Sequence, residues 1–292
     1  MATPLEVRRH PPPRTVWWQV GVLAALVVFL YYDVLTYLVL GWWTDPNFSH
    51  GFFVPLFSLF VVWQDRRQLA SISVKPSAWG IVIIAGSLCL LVVGTMGAEL
   101  FVSRSSFIFL LAGLIVSFFG WEHFRGLLFP WACLFLMIPL PAIVFNQITF
   151  PLQLLASQVS TSLLRVFDVP VLREGNVIQV PAMPLEVAEA CSGIRSLISL
   201  GTLAVIYGYL LETRLWRRIV LVLAAVPIAV FANALRITGT GLVAQYWNPK
   251  NAEGFFHEFS GWVIFIFSLA LLLLVHRLLR LRDLPSSASS KP

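Results

Sequence analysis

Long apolar runs separated by short clusters of arginine set the texture of this chain. Arg8, Arg9, His10 and Arg14 precede an apolar run over residues 17–40, which at about 1.5 Å per residue is long enough to cross a bilayer. No small-residue cleavage site follows, so the run predicts an uncleaved first span with its basic end in the cytoplasm. Residues 51–63 form a second, shorter run that flanking aromatics extend into the interface, and it ends at Gln64-Asp65-Arg66-Arg67. Runs at 79–97 and 107–120 predict a hairpin of two spans with Glu99 and Arg104 in its outer loop. After Arg125, a fifth span over 126–140 is broken by Pro139 and Pro141, which cannot continue helical hydrogen bonding.

The pattern then changes. From Leu152 through Leu155, Val159, Leu163 and Val166 the apolar positions keep a helical period, while Gln153, Ser157, Gln158, Ser160, Thr161 and Arg165 fill the opposite face. This predicts a helix lying in the interface or lining a polar cavity. Residues 169–180 predict two short strands around Glu174-Gly175-Asn176, a tight turn with positive φ open to Gly175 and Asn176. Three further spans follow, at 194–211, 219–243 and 262–275.

Composition agrees with this pattern. Hydrophobic residues make up 58% of the 292 positions and charged residues 12%, with a mean hydropathy of +0.83, whereas soluble domains carry about 25% charged residues. The fold class is therefore an all-α polytopic membrane protein of about eight transmembrane helices. A small extracytoplasmic helix plus β-hairpin insertion, about residues 151–190, precedes the sixth span. The expected organisation is a cytoplasmic N-terminal segment (1–16), one membrane-embedded domain (17–283) and a disordered cytoplasmic tail (284–292).

The net charge of +6 lies in clusters that read as topology determinants, and no nucleic-acid partner is inferred from it. With eight spans and both termini inside, 14 of the 20 lysines and arginines face the cytoplasm. A ninth span at 152–167 would turn the arginines after Val275 outward, against the positive-inside bias. Three cysteines are too few for a disulfide framework, and Cys89 and Cys133 lie inside apolar runs. Only Cys191 borders polar sequence.

Cys191 stands where Glu189-Ala190-Cys191-Ser192-Gly193 runs into an apolar helix. Unpaired N–H groups and the positive end of the helix dipole lower a thiol pKa at such a start, although a small buried hydrophobe suits the same position. Arg195, at i+4, could share its face. The eight-span topology brings the starts of the sixth and eighth spans and the outer part of the seventh to one membrane level, and with them Cys191, Arg236 and His257. An arginine inside a span is costly. Arg236, in Asn233-Ala234-Leu235-Arg236, fits a functional cation or a buried counter-ion for Glu189 or Glu258. A thiol, a permanent cation and an imidazole are the parts needed for nucleophilic acyl transfer. No Gly-x-Ser-x-Gly elbow, His-Glu-x-x-His or pair of intramembrane aspartates appears, and neither a metal nor a cofactor is expected.

Three blocks, Asn47-Phe48-Ser49-His50-Gly51, Ala188 through Ser196 around Cys191, and Asn233-Ala234-Leu235-Arg236 followed by His257, resemble the exosortases. With the archaeosortases, these are polytopic membrane relatives in function, though not in fold, of the soluble sortases. The resemblance implies Cys191 as nucleophile with Arg236 and His257 as partners, and Glu189, Ser192, Arg195, Asn233 and His50 in supporting places. It implies substrates that are secreted proteins ending in a short motif, a span and a basic cluster, such as the PEP-CTERM signal. These would be cleaved at the outer face of the bacterial inner membrane and transferred to an acceptor, in Gram-negative bacteria that make exopolysaccharide. His50 and Ser49 equally suit a polar helix cap. A membrane acyltransferase and a transporter or export component are the rival readings; charged midplane segments or repeated halves, which a transporter would carry, are not evident.

Overall fold

The computed structural model describes residues 14–187, 194–247 and 255–281, with side chains from Trp18 in the first stretch and from Phe259 in the last. Among the described residues, five helices are long and apolar enough to cross a membrane, or up to seven if each of two bent pairs is one span. The predicted runs fall on these helices. The expected second span is the shorter apolar stretch Ser49–Gln64, so a count of eight requires that stretch to cross as well.

The first run is not one straight helix. It divides at Tyr31 into α1 (Arg14–Leu30) and α2 (Tyr32–Thr44), bent by 67°. Neither glycine nor proline marks the break; Tyr31 is fully buried, its hydroxyl 3.1 Å from Ser106 Oγ and its ring 5.3 Å from that of Phe107. A 3-10 turn (Ser49–Phe52) leads into α3 (Phe53–Gln64), then α4 (Arg66–Ser71) and the hairpin of α5 (Trp79–Met96) and α6 (Leu100–Phe118).

Glu99 caps α6 by accepting from the Phe101 N–H, so the helix starts about two turns before the expected span. Arg104, expected in the outer loop, is therefore helical and buried, and its Nη2 donates to the Tyr37 carbonyl at 3.3 Å. Residues 100–106 contain no glycine or proline to stop the helix from growing back to its cap.

After α7 (Trp121–Gly126), α8 (Leu128–Cys133) and a second 3-10 turn (Leu134–Met137), the chain bends by 80° into α9 (Ala142–Val166). Pro139 and Pro141 lie at this bend as expected, but Pro151 is accommodated inside α9. The polar face of α9 points inward: Gln153, Ser157, Ser160 and Thr161 are buried, while Ile143, Ile148, Phe150 and Leu155 are exposed. This is the orientation that suits a helix with lipid on its outside and protein on its inside.

The expected hairpin is a three-stranded meander of β1 (Leu172–Glu174), β2 (Val177–Val180) and β3 (Met183–Glu186). Gly175 alone in the first turn takes positive φ, at 64°. The third strand escapes sequence reading because Pro181 and Pro184 argue against a strand. Pro184 is tolerated since β3 is an edge with one side unpaired. Ile178, Val180, Leu185 and Val187 form a core with Ala156 and Leu164 of α9 and Ile237 of the seventh run.

The last three helices, α10 (Ile194–Leu211), α11 (Leu215–Tyr246) and α12 (Phe255–Leu281), pack around Leu200, Ala204, Leu221, Ala225, Ile228, Ala229 and Leu272. Their basic ends meet at Glu212, which sequence reading passed over. Its buried carboxylate accepts from His276 Nε2 at 2.6 Å, Arg280 Nε at 2.8 Å and Arg217 Nη1 at 3.2 Å. With Nε2 donating, His276 Nδ1 accepts from the Tyr207 hydroxyl at 2.6 Å. Arg280 and Arg218 also donate to the carbonyls of Leu211 and Glu212, capping α10 at its negative end.

Burial would raise the Glu212 pKa, but the hydrogen bonds from Arg280, His276 and Arg217 outweigh it and hold the group down to about 2. A depressed carboxylate pKa stabilises the fold fully above the ordinary value of 4.5, and that contribution, about 3 kcal/mol, is lost as pH falls toward 2. Thermal unfolding of the detergent-solubilised protein is therefore expected to show a fall in Tm between pH 4.5 and 2. Glu212→Gln, which removes the carboxylate that Arg217, His276 and Arg280 share, should cost about 3 to 5 kcal/mol at neutral pH; a Tm unchanged from wild type would contradict this.

Candidate active site

The face of α11 that packs against α10 and α12 is apolar for its first half, through Leu221, Ala225, Ile228 and Ala229. One turn beyond Ala229 the same stripe turns polar at Asn233, and one turn beyond that at Arg236. Helix lengths fix the level of this change. From Leu215 to Arg236 is about 31 Å, from Leu211 back to Ile194 about 26 Å, and from Leu281 back to Ser260 about 31 Å. A hydrocarbon core is about 30 Å thick. The start of α10, Arg236 and Ser260 thus lie one membrane thickness from the Glu212 cluster, at a common edge.

Contacts agree with the count. Arg236, half-buried, donates through Nε to Ser260 Oγ at 3.1 Å, joining α11 to α12 at that level. Ser160 of α9 donates to the Ala234 carbonyl at 3.1 Å, and Thr238 donates to the same oxygen at 2.8 Å. The polar segment of α11 is thereby held from two sides. Beyond it α11 packs on the sheet: Ile237 is in the sheet core, and Gly241 lies so close to Leu164 and Leu185 that a Cβ would be 3.1 Å from each.

Asn233 is 1% exposed, and among the described residues neither Oδ1 nor Nδ2 has a hydrogen-bond partner. Its amide oxygen does not receive the Arg236 guanidinium. Arg195, the second residue of α10, is exposed. Cys191, Glu189 and Ser192 lie outside the described residues, as does the side chain of His257, whose position falls in the first turn of α12.

His50 belongs to a different knot. Its Nε2 lies 3.1 Å from the Leu136 carbonyl, and beside it Trp42 Nε1 donates to the Met137 carbonyl at 2.8 Å. Gly51 permits that packing, since a Cβ there would stand 2.3 Å from Trp42 Nε1. None of these hydrogen bonds reaches α10, α11 or α12. The block Asn47-Phe48-Ser49-His50-Gly51 ties the two 3-10 turns together and touches α9 through Phe48 and Phe145, whose rings are 5.9 Å apart.

Ser260 is the site residue that sequence reasoning missed. Its signal was present, because position 260 lies one helical turn after position 257 and on the same face. Among the described residues no group of three or more His, Cys, Asp or Glu is placed to hold a metal ion.

The fold and this site define a polytopic membrane protein with a cation-bearing polar site at one membrane edge. The chain belongs to the transmembrane exosortase family, whose family model matches residues 42–274. That match spans all three sequence blocks. Comparison with functionally curated proteins returned no match, and neither did comparison with solved structures.

Proposed function

We propose that this protein is a membrane-embedded cysteine peptidase and transpeptidase of the exosortase type. Its substrates are secreted proteins that end in a short motif, a membrane span and a basic cluster, of the PEP-CTERM kind. The observation that carries the reading is Arg236, a half-buried cation held by Ser260 at the membrane edge where α10 begins. Cys191 precedes Ile194 by three residues, so covalent reach alone keeps it within about 11 Å of that start. The arginines at 214, 217, 218, 277 and 280 cluster at the opposite ends of these helices. The positive-inside bias then assigns those ends, and both termini, to the cytoplasm, and the site and sheet to the periplasmic side of the inner membrane.

In this mechanism His257 takes the proton of the Cys191 thiol, and the thiolate attacks the scissile carbonyl. Arg236 stabilises the oxyanion that forms, and collapse expels the amine, which takes a proton from His257. The resulting thioester passes the protein to an acceptor nucleophile, and the thiol is restored. Membrane-edge chemistry suits the substrate: its span stays in the bilayer while the motif just outside meets the site.

Three outcomes are expected. Cys191→Ala should insert normally and stop processing of a co-expressed, C-terminally tagged substrate; processing at the wild-type rate would end the nucleophile assignment. A membrane-impermeant thiol reagent applied from the periplasmic side should modify Cys191 and spare both Cys133, which is buried, and Cys89, which is exposed but lies in the middle of the apolar α5; labelling only after lysis would reverse the sidedness. Arg236→Lys keeps the charge but loses the planar donor set that can hold Ser260 and an oxyanion together. It should slow single-turnover cleavage at least about a hundredfold, the usual effect of removing one oriented oxyanion donor. A rate within a few-fold of wild type would reduce Arg236 to a counter-ion.

A further inference from the structure

Glu212 and Asn233 are both buried in the α10–α11–α12 bundle, and they differ in one respect. Glu212 is surrounded by donors, whereas the Asn233 carboxamide, 1% exposed, has neither its donor nor its acceptor paired among the described residues. A buried, unpaired amide costs stability in the free protein, because both groups have given up water without compensation. An apolar residue in its place would continue the stripe of Ile228 and Ala229. The fold itself therefore has no use for a carboxamide here.

We propose that Asn233 is a substrate-binding residue whose carboxamide hydrogen-bonds the backbone of the polypeptide segment being cleaved. The inference rests on the proposed function and adds a residue and its role to it. Its chemistry follows from what a substrate of that kind presents at this depth. To be cleaved beside its span, the segment must be extended there, so its N–H and C=O groups lack the helical partners that hydrocarbon demands. Asn233 lies about 4.5 Å further into the membrane than Arg236, where those unpaired groups fall.

An extended residue directs its own N–H and C=O to the same side, and a carboxamide answers both, accepting at Oδ1 and donating from Nδ2. An anion would use the donor and leave Oδ1 unpaired; charge recognition belongs to Arg236. Because the amide atoms are shielded in the free protein, the segment reaches them by parting the side chains above, at the level where Arg236 and Ser260 meet.

The test uses the full-length protein in detergent with a reporter fused to a C-terminal tail taken from a secreted protein of the same genome: motif, span and arginine cluster. Wild type and Cys191→Ala are run beside Asn233→Leu and Asn233→Ala, each read for thermal stability and for kcat/KM of cleavage. Asn233→Leu should keep or raise Tm and lower kcat/KM at least about tenfold, the effect of losing a hydrogen-bonded pair made only to substrate. Asn233→Ala, which removes the same two atoms without adding bulk, is read in the same way if the leucine does not fit.

Cleavage by both variants within twofold of wild type would overturn the proposal. So would a fall in Tm for both, which would mean that the amide serves the fold through an internal water or the backbone. Either result leaves the proposed function standing as long as wild type cleaves the reporter and Cys191→Ala does not. A wild-type protein that never cleaves would sink the function and this inference together.

Discussion

A helix that crosses hydrocarbon can place charged groups cheaply only near its ends, and the three helices of the C-terminal bundle are built on that constraint. Each spans about one bilayer thickness between its two polar levels. At one level Glu212 gathers Arg217, His276 and Arg280 from α11 and α12. At the other, Arg236 meets Ser260. Since α11 and α12 are joined by directional polar contacts at both levels, and all three helices by the Leu200–Leu221–Leu272 core, α11 and α12 cannot slide past one another. That fixed register sets the depth of Arg236.

α9 performs the complementary task. Thr149, Gln153, Ser157, Ser160 and Thr161 face inward while Ile143, Ile148, Phe150 and Leu155 face outward, the reverse of a helix on a soluble protein. The 80° turn at Pro139 and Pro141 carries it off the line of the preceding segment. It then reaches from Phe48 in the first half of the chain to Ala234 beside Arg236 in the second. The hydroxyl bond to the Ala234 carbonyl and the small sheet beyond it brace α11 where the helix is most polar. The site is therefore held by a scaffold outside the three-helix bundle as well as within it.

The two polar centres illustrate how stability and function divide in one bundle. Glu212, fully hydrogen-bonded, keeps its proton off far below the ordinary range and contributes to folding. Asn233, buried without partners among the described residues, does the opposite. Local inconsistencies of this kind concentrate at sites that act on something outside the chain.

How much of this was legible in the sequence depends on the range of the interaction concerned. Apolar run lengths and arginine clusters by themselves gave the membrane class, the approximate positions of the crossing helices and the break at Pro139 and Pro141, because hydrophobicity and proline geometry act on the local chain. Three short blocks pointed to the family. The bend at Tyr31, the burial of Arg104 and the contact between Arg236 and Ser260 depend on residues far apart in sequence, which no local pattern encodes, and the strand through Pro184 depends on the edge position of β3. Sequence determined which segments prefer lipid and where charge must stop. Only the tertiary structure decided which polar groups meet, since each pairing balances desolvation against a partner that another helix supplies.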